Sequence, residues 1–101
     1  MSTSSQTKDD IIIEESPRYN IIVWNDDKSD FELVAIMIAT IFNYKEIEAI
    51  EITKKIHDEG NSVVFTNCKE ICEFRLQQCE KFKKENIDFL RELRVTLEKV
   101  S

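Results

Sequence analysis

Glycine, proline, histidine and tryptophan are almost missing from this 101-residue chain, with Gly60, Pro17, His57 and Trp24 as single copies. One glycine excludes the Gly-rich loop that lets backbone amides close around a phosphate. One histidine leaves a single imidazole for acid–base work, and no nucleophile stands beside it in the sequence. Basic residues are short as well, 14 Lys and Arg against 20 Asp and Glu, for a net charge of -6. Nucleic acid needs clustered Lys and Arg on one face, so it is not an expected partner. No apolar run approaches the roughly 18 residues of a membrane span. The chain opens on Ser, Thr, Lys and Asp rather than on a basic stretch before an apolar one, so no signal peptide is expected either. A soluble, cytoplasmic protein follows as the expectation.

Cysteine is scarce and odd in number: Cys68, Cys72 and Cys79. That is a poor disulfide framework and fits a reducing compartment. Their spacing places them near one helix face, with His57 as the one histidine available for a fourth metal ligand. Structural zinc sites instead pair their ligands at short spacing on loops, and a free thiol behaves as a small buried hydrophobe, so no metal and no cofactor is assigned.

Residues 1–17 are Ser/Thr-rich, then acidic, interrupted by Ile11 to Ile13, and closed by Pro17. They lack the apolar residues to order themselves and are expected to form a flexible extension, leaving 18–101 as one domain. Tyr19 to Trp24 reads as a strand apolar on both faces, hence central. Asp30 to Phe42 is an apolar helix packed on several sides, with Ser29 and Glu32 as its capping box. Lys45 to Asp58 is an amphipathic helix with Ala49, Ile52, Thr53 and Ile56 on one stripe, ended by Gly60 in a positive-φ turn. A second strand spans Asn61 to Thr66, and a third helix starts at a box of Asn67 and Glu70, runs to about Glu85 and buries Cys68, Cys72, Cys79 and Phe82. A last strand points Leu93, Val95 and Leu97 one way. The expected fold is α+β, a small three-stranded antiparallel sheet packed against three helices in the order β-α-α-β-α-β.

Between the first strand and the first helix stands Trp24-Asn25-Asp26-Asp27-Lys28-Ser29. An amide and two carboxylates within one turn suit a cation. His57, on the last turn of the second helix, is by itself more often a cap or surface residue than a site residue.

The run Tyr19 to Asp27, then Ile56-His57-Asp58-Glu59-Gly60, then Thr96-Leu97-Glu98-Lys99 together resemble ClpS, the adaptor that delivers N-degron substrates to the Clp protease. The resemblance covers Pro17 to the end. It implies a bacterial, cytoplasmic, monomeric adaptor with no catalytic step, whose partners are N-degron proteins and a ClpA- or ClpC-type AAA+ unfoldase. It further implies that Asn25, Asp26, Asp27 and His57 hold the free α-amino group of the incoming chain. Its side-chain pocket, for Leu, Phe, Tyr or Trp, corresponds to Ser29, Phe31, Val34, Thr53, Ile56 and Leu93. Glu70 and Arg75 match positions that touch the unfoldase, and the extension is what such proteins offer to it. Where the family usually has Thr-Pro-Met this chain has Ser29-Asp30-Phe31, and Thr53 stands where Met is frequent, so pocket size is open. Three extra residues before Thr96 leave Leu90 and Leu93 as competitors for closing the pocket, and strand alternation favours Leu93. Two other classes compete with this reading: an enzyme using Asp26, Asp27 and His57, and an interaction domain similar in outline to the ribosomal stalk C-terminal domain.

Overall fold

The computed structural model describes residues 17–100, so the extension expected over residues 1–17 lies outside it except for Pro17. The elements run β1 Arg18–Trp24, α1 Phe31–Phe42, α2 Glu46–Glu59, β2 Asn61–Cys68, α3 Lys69–Glu85, α4 Ile87–Leu90 and β3 Arg94–Lys99. The α+β fold expected from the sequence is the observed one, with one short extra helix, α4. Strand order is β2-β1-β3, all antiparallel, which puts the apolar run of β1 in the middle. Ile21 and Val23 are fully buried, and with Val34, Met37, Ile38, Ala49, Ile56, Val64 and Leu90 they form the core between sheet and helices. Ile22, on the opposite face, is buried as well. Burial on both faces is why β1 reads as a continuous hydrophobic run instead of an alternating one.

The β1–β2 register shifts between Ile21 and Ile22, which pair with Phe65 and Val63 and leave Val64 as the extra residue of a bulge. A bulged residue loses a ladder partner, and the Tyr44 hydroxyl supplies one by donating to the Val64 carbonyl at 2.8 Å. Tyr44 follows Asn43, whose left-handed backbone (φ 59°) ends α1. Gly60 (φ 95°) ends α2 in the same way. Arg75 donates from Nη1 to the Ile41 carbonyl at 2.9 Å, meeting one of the acceptors left open at the end of α1.

Three local expectations are corrected. Ser29 and Glu32 do not form the capping box of α1: Asp30 is the N-cap and accepts from the Leu33 amide at 3.0 Å. The Ser29 hydroxyl is already engaged by Asp26, and the Asp30 carboxylate meets both an orphan amide and the positive helix end. The Asn67–Glu70 box does not form either, because β2 continues to Cys68, which is the N-cap of α3, and the Asn67 side chain accepts from the Cys68 amide. Cys68 is thereby half-buried and off the helix face that fully buries Cys72 and Cys79.

Burial pushes the Cys79 thiol up to about 12, with the Glu80 charge adding to the effect, and burial raises Cys72 too. Reactivity needs thiolate, so iodoacetamide at pH 8 is expected to label Cys68 first and to reach Cys72 and Cys79 only in urea. Labelling of Cys79 in the native protein as fast as Cys68 would contradict this. The folded state favours the protonated Cys79 thiol, so its stabilising contribution is complete below its ordinary value of 9.0 and erodes as pH rises from there toward about 12. The urea midpoint should therefore fall between pH 8 and pH 10, and fall less steeply in Cys79→Ala.

Candidate functional site

The turn between β1 and α1 is fixed at both ends and in the middle. Its first residue, Asn25, donates its amide to the Gly60 carbonyl at 2.9 Å, which brings the turn to the end of α2, where His57 stands on the last turn. In the middle, one oxygen of Asp26, Oδ2, accepts from the Lys28 amide at 3.1 Å and the Ser29 hydroxyl at 2.9 Å. An Asp in this place folds the backbone over itself, which is why Asn-Asp-Asp reads as a turn. At the far end Asp30 donates its amide to the Phe89 carbonyl of α4 at 3.1 Å.

Beneath this turn lies a cavity of about 210 Å³. It is lined by Trp24, Asn25, Asp26, Asp27, Ser29, Phe31, Val34, Thr53, Ile56, His57 and Leu93. Every residue assigned to the amine site and the side-chain pocket from the sequence is in that set. Between Leu90 and Leu93, it is Leu93 that lines the cavity; Leu90 is fully buried behind it in the core. Glu70 and Arg75, on α3, are not among the lining residues, and Arg75 is engaged within the fold.

The cavity is graded from polar to apolar. Asn25, Asp27 and His57 are exposed at its mouth, whereas Val34, Thr53, Ile56 and Leu93 are buried at its base. Neither Asp26 nor Asp27 is ion-paired among the described residues, where the one ion pair joins Lys83 to Glu80. An ammonium group about 4 Å from such a carboxylate is attracted by about 4 kcal/mol at the effective dielectric of a protein surface. The mouth is thus built for a cation and the base for an apolar side chain. At about 210 Å³ the space is smaller than the roughly 300–1,000 Å³ of sites that enclose a drug-sized ligand, and it suits one residue rather than a peptide. The Thr53 hydroxyl donates to the Ala49 carbonyl at 2.7 Å, so only its lone pairs remain to meet a ligand donor.

Trp24 is the lining residue that the sequence reading left out. Its indole Nε1 donates to the Thr96 hydroxyl at 2.8 Å, and the Arg94 guanidinium lies 4.7 Å from its ring centroid, so β3 holds the indole as a fixed wall. The available signal was a lone Trp directly before the Asn-Asp-Asp turn.

The family model described as "ATP-dependent Clp protease adaptor protein ClpS" matches residues 14–96. The chain belongs to the ClpS family. The ClpS adaptor of Wolinella succinogenes is 33% identical over 82 residues, covering 81% of this chain and 80% of that one. The ClpS adaptor of Helicobacter hepaticus is 30% identical over 84 residues, covering 83% and 85%. Among solved structures, ClpS2 of Agrobacterium tumefaciens bound to L-phenylalaninamide has the same fold, with a TM-score of 0.77 at 23% identity, over 85% of this chain and all of that one. ClpS proteins are named as adaptors of the ATP-dependent Clp protease. Among the described residues of this ClpS, no helix is long and apolar enough to cross a membrane.

Proposed function

We propose that this ClpS captures proteins by a free N-terminal residue with a bulky apolar side chain, Leu, Phe, Tyr or Trp, and hands them to a ClpA- or ClpC-type AAA+ unfoldase. One observation carries the reading: an acidic and amide-bearing mouth, with no ion pair among the described residues, stands directly over a one-residue apolar cavity. A polypeptide offers an ammonium and an apolar side chain on the same atom only at its N-terminus. Asn25, Asp26, Asp27 and His57 take the amine, while Ser29, Phe31, Val34, Thr53, Ile56 and Leu93 surround the side chain. The ligand named for the Agrobacterium ClpS2, L-phenylalaninamide, has this combination of a free α-amine and a bulky apolar side chain. Glu70 and Arg75 are proposed for unfoldase docking, with Glu70 exposed on α3. The test is fluorescence anisotropy with peptides differing only in residue one. Leu and Phe peptides should bind and a Met-initiated or Gly-initiated peptide should not, and equal binding of all of them would refute the reading.

Rank order among ligands depends on the two departures from the family pattern. Phe31 sits at the rim, 43% exposed, and has fewer torsions than Met with which to move aside. Thr53 is 4% exposed at the base and is shorter than Met. Phe31→Met is expected to raise affinity for Leu relative to Phe, and Thr53→Met to cost Trp most, each within about 1–3 kcal/mol because such pockets discriminate weakly. The same anisotropy series decides it. An unchanged ranking in both variants would show that neither side chain sets selectivity.

A further inference from the structure

A second depression adjoins the first. It is a groove of about 540 Å³ between α1 and α2, walled by Phe31, Ile36 and Ile50 and floored by Ala35 and Ala39. The alanines are one helical turn apart on one face of α1, and their small side chains leave the groove open. Ile36 and Ile50 remain 49% and 42% exposed and, with Phe31 at 43%, line one groove together, and such a contiguous apolar patch marks an interaction surface. Phe31 borders both the groove and the cavity under the Asn-Asp turn, so the two are neighbours with one ring between them.

We infer that this groove holds the residues following the anchored N-terminal residue of the same bound polypeptide, and favours an apolar stretch carrying Lys or Arg. The inference rests on the proposed capture of a free N-terminus. Three observations choose this occupant. The first is adjacency: Phe31 is shared by the two linings, so a chain whose first side chain fills the cavity has the groove as its neighbour across that ring. Length is the second, since Phe31 to Thr40 spans about 14 Å of helix, which matches about four extended residues. The third is charge: Glu32 and Glu46 border the groove and neither is ion-paired among the described residues, so basic residues between the apolar ones find partners there. The substrate class narrows accordingly, to chains in which a bulky N-terminal residue is followed within a few positions by apolar and basic residues.

Anisotropy with the full chain tests this, using two Leu-initiated peptides: one continued by Gly and Ser, the other by alternating Ile and Lys. The Ile/Lys peptide is expected to bind about tenfold more tightly. Ile36→Glu and Ile50→Glu, both at exposed positions, should abolish that advantage while leaving the Gly/Ser peptide unchanged. Equal affinity of the two peptides for the unaltered protein overturns the inference, as does an advantage that survives both substitutions. Sedimentation showing a dimer that Ile36→Glu dissociates overturns it in favour of a second copy. A rise in Ile/Lys peptide affinity on removing residues 1–16 overturns it in favour of the chain's own N-terminal segment. Failure of both peptides to bind refutes capture of the N-terminus itself, and the groove assignment falls with it.

Discussion

A Leu-initiated peptide whose α-amine is acetylated is expected to bind this ClpS at least about a hundredfold more weakly than the free peptide, a loss near 3 kcal/mol. Acetylation acts twice. On the proposed reading it removes the positive charge that would face Asp26 and Asp27, neither of which is ion-paired among the described residues. It also removes donors, leaving acceptors at the cavity mouth desolvated and unpaired, and a charge-assisted bond is the expensive kind to lose. Asn25→Ala and Asp26→Ala should each cost about 1–3 kcal/mol by the same argument. Asp26 has a second duty, because its Oδ2 accepts from Lys28 and Ser29 and so holds the turn. Asp26→Asn separates the duties, since it keeps an acceptor for the turn and deletes the charge. A weakening by Asp26→Asn comparable with that of Asp26→Ala would assign most of the effect to charge. Circular dichroism establishes that each variant is folded, and isothermal titration of free and acetylated peptides supplies the affinities. Equal affinity for the acetylated peptide removes the amine from the mechanism.

Deleting residues 1–16 is expected to leave peptide affinity unchanged and to abolish degradation of a Leu-initiated reporter by the partner unfoldase and protease. Unchanged affinity is expected because, among the described residues, the lining from Trp24 to Leu93 already supplies both the polar mouth and the apolar base. Loss of delivery follows from what an adaptor must do after binding. It has to present something the unfoldase can engage, and by composition residues 1–16 are the part of the chain least suited to packing into a core. The measurement is reporter decay with full-length and truncated ClpS beside anisotropy on the same samples. Decay at the full rate with the truncated chain defeats the proposal, and weakened peptide binding would show instead that the segment contributes to the site.

The correspondence between sequence and structure is uneven, and the physics explains where. Central placement of β1 was legible because burial on both faces forces a continuous apolar run. The stripe of Ala49, Thr53 and Ile56 was legible because a helix buried on one side has period 3.6, and all three are buried. Gly60 was legible because few other residues accept its backbone angle. Helix starts were misjudged where two capping residues competed: Asp30 beside Ser29, and Cys68 beside Asn67. Local patterns rank such candidates poorly, since the winner is set by where the preceding segment is tied down. Ser29 is engaged by Asp26, and β2 pairs with β1 as far as Cys68. The four-residue α4 is too short to show a period at all.

The sequence by itself determined the α+β element order apart from the short α4, the turn chemistry of Asn25 to Asp27 and the family, because these rest on residue type and spacing along one chain. Only the tertiary structure decided which residues share a cavity. It joined the turn to α2 through the Asn25–Gly60 bond, placed Leu93 rather than Leu90 in the wall, and made a wall of Trp24 through Thr96 and Arg94. Contacts between residues as distant as Trp24 and Thr96 depend on strand register, which closes only when β1 and β3 pair. The depth of a pocket likewise depends on how helix and sheet pack, and no local pattern in the sequence encodes that distance.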